Sequence, residues 1–228
     1  MRNWLLLVFL GTVLQSVGQS EVASDSGVHR YFEDQFYVGF TYNFLGNTPE
    51  VVTQRNLSYG LQFGTIKDIP LNAKGTKAVG FGLGLALNTY YSNVIAIETA
   101  NGISYTLGEN TIGFNRSKLE THLLEFPLEF RWRSSTLEEY RFWRLYAGIK
   151  AGYVLGARST SVIEGNKNGF YNTDVERFQY GLTLNVGYNT FNIHMYYALN
   201  DLFKEGVTLN NEVLGFSPLR IGVIFYIL

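Results

Sequence analysis

The run Ala78-Val79-Gly80-Phe81-Gly82-Leu83-Gly84-Leu85-Ala86-Leu87-Asn88 decides the fold. It opens a stretch, residues 78–97, that holds no charged residue and by length alone would serve as a transmembrane helix. Its period excludes a helix. Val79, Phe81, Leu83, Leu85 and Leu87 alternate with Gly80, Gly82, Gly84, Ala86 and Asn88, so all the bulk falls on one side of a strand. A helix would scatter those glycines over every face.

The same alternation extends in both directions from this run. Toward the N-terminus, Phe36, Val38, Phe40, Tyr42 and Phe44 oppose Tyr37, Gly39, Thr41 and Asn43, and Leu57, Tyr59, Leu61 and Phe63 oppose Ser58, Gly60, Gln62 and Gly64. Toward the C-terminus, Leu124, Phe126, Leu128, Phe130 and Trp132 alternate with Glu125, Pro127, Glu129 and Arg131. Apolar faces follow over residues 143–155, 178–188 and 191–199, and a last one runs from Leu219 to Ile227, where Ile224, Tyr226 and Leu228 blur the pattern. These segments number eight, each about 10–15 residues long, against the ~9–11 that a tilted strand needs to cross a bilayer. The odd connections, near residues 45–55, 93–118, 159–173 and 200–214, are long. The even ones, residues 68–77, 133–141 and the tight Asn189-Thr190 turn, are short. Short periplasmic turns and long exterior loops are the habit of outer-membrane barrels. The expected fold is therefore all-β, an eight-stranded antiparallel up-and-down transmembrane β-barrel with both termini on the periplasmic side. Tyr90, Tyr91, Trp132, Trp143, Tyr153 and Tyr188 are expected in the interfacial girdles.

Composition supports this reading. Only 16% of the 228 residues are charged, while the mean hydropathy is zero and 16% are aromatic. Soluble domains carry about 25% charge. Scarce charge at neutral hydropathy arises when one strand face meets lipid and the other carries small polar groups. A soluble eight-stranded barrel of lipocalin type is the structural alternative, but its surface would then consist of Gly, Ala, Asn, Gln and Thr, which makes for poor solubility. With 18 basic and 19 acidic residues and no basic cluster, nucleic acid is excluded as a partner. The absence of Cys removes disulfides, thiolate metal sites and a lipoprotein anchor. Arg2, the apolar run from Trp4 to Leu14 and the small residues Ser16-Val17-Gly18 read as an export signal. The expected division is a signal peptide over residues 1–18, cleaved after 18 or 20, an N-terminal periplasmic segment over 19–34 and the barrel over 35–228.

No reading of the residues yields an enzyme or a cofactor site. Gly80-Phe81-Gly82-Leu83-Gly84 lacks the third glycine of a dinucleotide fingerprint, since Leu85 stands there. Asn56-Leu57-Ser58 and Asn115-Arg116-Ser117 match the glycosylation tripeptide as short sequences do by chance. Some eight-stranded barrels modify lipid acyl groups with a His and a nearby Ser. His29, His122 and His194 lack that partner, and their spacing fits no metal site. The polar constellation worth defending lies on the inward faces of two successive strands, with Glu125, Glu129 and Arg131 on one and Arg144, Lys150 and Arg158 on the next. A connection centred near Leu137 and Glu138 would set Glu125 opposite Lys150 and Glu129 diagonal to Arg144. Ionised groups at membrane depth need partners, so this is a charge-compensated plug, with a proton or ion path as the functional alternative.

The stretch Leu123-Leu124-Glu125-Phe126-Pro127-Leu128, followed by Trp143-Arg144-Leu145-Tyr146-Ala147-Gly148 and a closing strand, resembles the PorT-like outer-membrane β-barrel proteins of Bacteroidota over roughly residues 35–228. The resemblance implies an eight-stranded outer-membrane barrel and, through the family's namesake, an accessory role in type IX secretion. The chain departs from the pattern at Ile227-Leu228, where such barrels commonly end in an aromatic residue. The expected function is a non-enzymatic barrel presenting exterior loops or its lipid-facing wall to envelope or secretion proteins, with outer-membrane lipids around it. A small-solute channel and a lipid-modifying enzyme are the alternatives.

Overall fold

The computed structural model describes residues 34–72, 74–134, 143–188 and 191–227. The expected signal peptide, most of the segment 19–34, the connection over 135–142, the Asn189-Thr190 turn and Leu228 lie outside the described residues. The strands are β1 (Asp34–Gly46), β2 (Tyr59–Pro70), β3 (Lys77–Ser92), a hairpin of β4 (Val94–Thr99) and β5 (Gly102–Leu107), then β6 (Phe114–Arg133) and β7 (Trp143–Ile163). After these come β8 (Asn166–Tyr171), β9 (Phe178–Tyr188), β10 (Phe191–Ala198), a two-residue pair β11 (Thr208–Leu209) and β12 (Glu212–Val213), and β13 (Ser217–Ile227).

Eight of these close a barrel. Each of β1, β2, β3, β6, β7, β9, β10 and β13 pairs antiparallel with the next, and the ring is completed by β1 against β13, from Phe36↔Ile227 to Gly46↔Ser217. Side chains alternate between the two surfaces, as the pleat requires. Phe36, Phe40, Phe81, Leu83, Phe126, Leu128, Ile149 and Leu182 are exposed on the outside, while Tyr37, Gln62, Ala86, Glu125, Tyr146 and Thr183 are buried inside. The outer surface is thus a continuous apolar belt. At the end where the short turns lie, Trp132, Trp143 and Tyr188 face outward, and the rings of Trp143 and Tyr188 pack 5.6 Å apart. At the other end Tyr153 packs on Phe178 at 5.2 Å. Tyr90 does not join a girdle: it shares the phase of Gly84, Ala86 and Asn88, points inward and is buried.

β6 and β7 run for 20 and 21 residues, beyond the expected strand length, and β7 goes on to pair with β8. Past the apolar belt the outward face of these strands turns polar while the inward face mixes polar residues with Leu119 and Ala157, so the alternation that marks a strand in sequence fades although the ladder persists. A β-bulge interrupts this pair. His122 faces Gly156 and Leu123 faces Val154, which leaves Leu155 as an extra residue on β7. The extra residue reverses the phase of everything after it. Arg158, expected in the lumen, is therefore turned outward and exposed, and its guanidinium donates to the Gly169 carbonyl at 3.3 Å.

The register below the bulge also differs from the expected one. Glu125 lies opposite Gly152 and Lys150 opposite Pro127, so the pair meets diagonally, and Arg144 faces Arg133 rather than approaching Glu129. The actual pairing is offset by two residues from one centred on Leu137 and Glu138, an offset that keeps every side chain on its expected face.

At the end opposite the termini the long connections fold over the mouth. Val52, Val94, Leu107, Val175, Leu202, Phe203, Leu209, Leu214 and Phe216 form an apolar core with Tyr90, Leu119, Leu123 and Val154 of the barrel wall. The ring of Phe203 packs edge-on against both Tyr105 and Phe216, at 5.4 Å in each case.

A barrel without a free edge resists detergent until heated, because no strand can peel away without exposing unpaired backbone. The protein is expected to migrate at different apparent masses in boiled and unboiled samples on denaturing gels. Identical mobility of the two samples, with recovery from a soluble fraction, would contradict the closed barrel.

Candidate functional site

Among the described residues, charged and aromatic side chains gather out of solvent in the lumen. Its shape starts from the strand glycines. Gly64 and Gly84 sit side by side on β2 and β3, and a Cβ on either would run into the Tyr37 hydroxyl, which reaches from β1 along the inner wall over both strands. Across the barrel, Gly181 similarly leaves room for the ring of Tyr196. An eight-stranded barrel has an interior that side chains just fill, so each large residue needs a gap opposite it.

Two ion clusters occupy this space. In the middle, Glu125 on β6 is shared between two cations: Oε2 lies 3.1 Å from Lys150 Nζ on β7, and Oε1 lies 3.2 Å from Arg220 Nη1 on β13. Lys150 also donates to Gln62 Oε1 at 2.6 Å, and Arg220 to Asn88 Oδ1 at 3.3 Å. The Arg220 guanidinium stacks 3.8 Å above the Tyr196 ring, a contact that contributes about 2 kcal/mol where water is excluded.

Nearer the short-turn end, Asp68 on β2 binds Arg131 at 2.5 Å and also contacts Arg133. Arg131 Nε lies 3.2 Å from Glu129 Oε2, its Nη1 donates to Gln35 at 3.1 Å, and its guanidinium is sandwiched against Tyr146 and Tyr226, 4.0 and 4.7 Å from their centroids. Asn185 donates to Glu129 Oε1 at 3.1 Å, and its carbonyl lies 2.5 Å from His194 Nδ1, which places the imidazole proton on that nitrogen. Arg144 is buried in the same lumen, facing Arg133 across the β6–β7 ladder. Of the residues expected in the plug, the structure thus brings together Glu125, Glu129, Arg131, Arg144 and Lys150, and turns Arg158 away.

Little space remains among these groups. The void bounded by Tyr37, Ile66, Glu129, Lys150, His194 and Tyr226 measures about 10 Å³, at the lower limit for one water. Toward the long-loop end the apolar core adds a second closure, tied down by polar contacts at its rim. Tyr105 donates to Asp174 at 3.1 Å and accepts from Asn172 at 3.1 Å, and burial pushes its phenol pKa up, so it stays protonated and able to donate. On the opposite side Arg55 binds Glu109 at 2.8 Å, and Asn93 reaches the same carboxylate. Among the described residues, no group of three or more His, Asp or Glu is placed to hold a metal ion.

A closed barrel with an apolar belt, aromatic edges and a polar, packed lumen is the build of an outer-membrane protein. Comparison with protein families matches residues 17–204 to the outer membrane protein beta-barrel domain. The chain belongs to that family. No curated protein matches it at a significant level. The short turns and both strand termini of this outer-membrane barrel lie at one end and its capped mouth at the other, and short turns are the periplasmic habit of such barrels.

Sequence reading missed Asp68, Arg133 and Arg220 as members of the lumen network. Asp68 stands where a short turn is expected and Arg220 in the strand with the weakest alternation, yet both carry a usable signal. Asp68 continues the phase of Gln62, Gly64 and Ile66, and Arg220 that of Gly222 and Ile224. Parity alone places them inside.

Because Glu125 serves two cations, its loss strands both. Glu125→Gln is expected to destabilise the barrel by roughly 3–5 kcal/mol, the cost of breaking a buried pair. Lys150→Met leaves Arg220 on the carboxylate and is expected to cost less. Urea unfolding of the two variants in lipid vesicles checks the order, and an equal or greater cost for Lys150→Met would show that Arg220 does not share the charge.

Proposed function

We propose that this outer-membrane barrel is a non-enzymatic docking element, which presents its exterior cap and lipid-facing wall to other envelope proteins instead of passing solute. The observation that carries this reading is the double closure of the lumen, by the ion and tyrosine packing in the strands and by the apolar core over the mouth. A path through the barrel would have to break buried ion pairs and displace several large rings. The finer reading, an accessory of type IX secretion, rests on the resemblance of residues 123–128 and 143–148 to the PorT-like proteins.

Most of the exterior connections are committed to the cap, which narrows the surface left for a partner. The β4–β5 hairpin is rooted by Val94, Ile95 and Leu107, all buried, but it carries Ile97, Glu98, Thr99 and Gly102 into solvent. Its tip is the projecting element.

Planar bilayers containing the purified barrel are expected to show no sustained conductance, and steady ion current would favour the channel instead. Replacing residues 97–104 with a two-residue Asn-Gly turn, which closes Ala96 on its partner Tyr105, preserves the hairpin root. This variant is expected to keep its heat-modifiable mobility and to lose the envelope proteins cross-linked to the wild type. Unchanged cross-links would remove the hairpin tip from the docking surface.

A further inference from the structure

The barrel wall opens on its outer surface where β7 passes from β9 to β8. β7 pairs with β9 as far as Tyr153↔Phe178, and the Val154 N–H still donates to the Arg177 carbonyl at 2.8 Å. β8 takes over at Arg158↔Tyr171, where the Asn172 N–H donates to the Ala157 carbonyl at 3.0 Å. Between these anchors Leu155 and Gly156 pair with neither β8 nor β9, and on the β6 side Leu155 is the bulged residue. Two adjoining hollows of about 340 and 510 Å³ open at this notch and share Leu155, Gly156, Ala157 and Tyr171.

The notch lies where the outer surface changes character. Leu124, Tyr153 and Phe178 form a row across β6, β7 and β9, the last apolar row of the belt. Above it β6 turns His122 and Glu120 outward, and β7 turns Arg158 outward. Arg177 and Lys204 line the smaller hollow and Arg158 the larger. Among the described residues none of these three cations is ion-paired. Glu120 also lines the larger hollow, but its carboxylate is held by Lys118 at 2.6 Å. Contacts to backbone hold two of the cationic heads beside the notch, Lys204 Nζ donating to the Thr173 carbonyl at 2.7 Å and Arg158 to Gly169.

We infer that this notch binds the phosphate-bearing headgroup of a lipid in the exterior leaflet. Three cations directly above an apolar row suit an amphiphile with an anionic head and hydrocarbon tails, the tails lying on Leu124, Leu155 and Phe178 and the phosphate among Arg158, Arg177 and Lys204. Charge-assisted bonds from guanidinium and ammonium groups to phosphate oxygens are the strong kind. A soluble anion would gain nothing from the exposed Leu155 and Tyr171, and a zwitterionic head would gain no net attraction. The site is also left open by the protein itself, since a Cβ on Gly156 would meet no atom within 4 Å.

The test uses the full-length barrel in phosphatidylcholine nanodiscs doped with bis-phosphorylated lipid A or with its dephosphorylated form, and reads the lipid retained on the barrel by native mass spectrometry. Retention of the phosphorylated form alone is expected. Two variants are expected to weaken it at least about tenfold: Gly156→Phe, which fills the open space, and the combined Arg158→Gln, Arg177→Gln and Lys204→Gln. Heat-modifiable mobility reports whether each variant has folded, and either one suffices should the other fail. Equal retention of the two lipids would overturn the inference, as would wild-type retention by a folded variant. Displacement of the lipid by millimolar inorganic phosphate would overturn it in favour of a site for a soluble anion.

Discussion

A backbone amide at membrane depth has no water to bond, so every N–H and C=O of the spanning strands must be answered by a neighbouring strand. The β1–β13 ladder meets that demand for the two strands that would otherwise be edges. Closure then sets the rest of the molecule. With eight strands the bore is only wide enough for side chains, so what points inward must pack as a core does although it is largely polar. The glycines of β2, β3 and β9 and the tyrosines that reach over them are two halves of this fit. Gly84 is small because Tyr37 ends there, and Gly181 because the ring of Tyr196 lies over it.

The polar character of that core has its own logic. Had the lumen been filled with Leu and Ile, each strand would be apolar on both faces, and a one-residue slip in register would cost little. With Glu129 and Arg131 on β6 and Lys150 on β7 committed to the interior, the same slip would turn ionised groups toward hydrocarbon, which costs about 2–4 kcal/mol for each Arg or Lys near the midplane. Charge in the lumen therefore makes the register specific. It is affordable because each carboxylate, Asp68, Glu125 and Glu129, touches at least one cation and because Arg131 and Arg220 lie on aromatic faces. A buried ion pair is a weak source of net stability, but half of one is a strong source of instability. The same network that stabilises only the correct register also closes the bore.

Period-two alternation carried most of the barrel: which residues form strands, which side of each meets lipid, and that Glu125, Glu129, Arg131, Arg144 and Lys150 share the inside. It works because lipid outside and a crowded lumen inside impose opposite demands on neighbouring residues. Where those demands lapse, so does the legibility. The bulge at Leu155 leaves no mark, since Leu155-Gly156-Ala157 suits either phase, and unbroken parity therefore puts Arg158 on the wrong surface. The β6–β7 register depends on a connection whose residues do not specify its centre. The exterior cap was hidden for another reason. Val175, Leu202, Phe203, Leu209 and Leu214 recur with neither period and find one another only when the barrel brings four connections to one mouth.

The bulge and the cap are related consequences of the barrel's upper limit. Up to Tyr153 and Leu155, β7 has to present apolar residues outward and polar ones inward. Beyond them the outside is aqueous, and the inside is the apolar cap to which Val154 and Ala157 contribute. The demands on the two faces have exchanged, and inserting one residue is the shortest way for a continuous strand to follow that exchange. The insertion leaves an unpaired stretch, which is tolerable only where polar groups can approach the wall from outside. That condition holds at the level of the lipid headgroups and nowhere lower on the belt. The defect in the wall thus falls at the depth where the membrane itself can answer the free backbone groups and the cations gathered beside them.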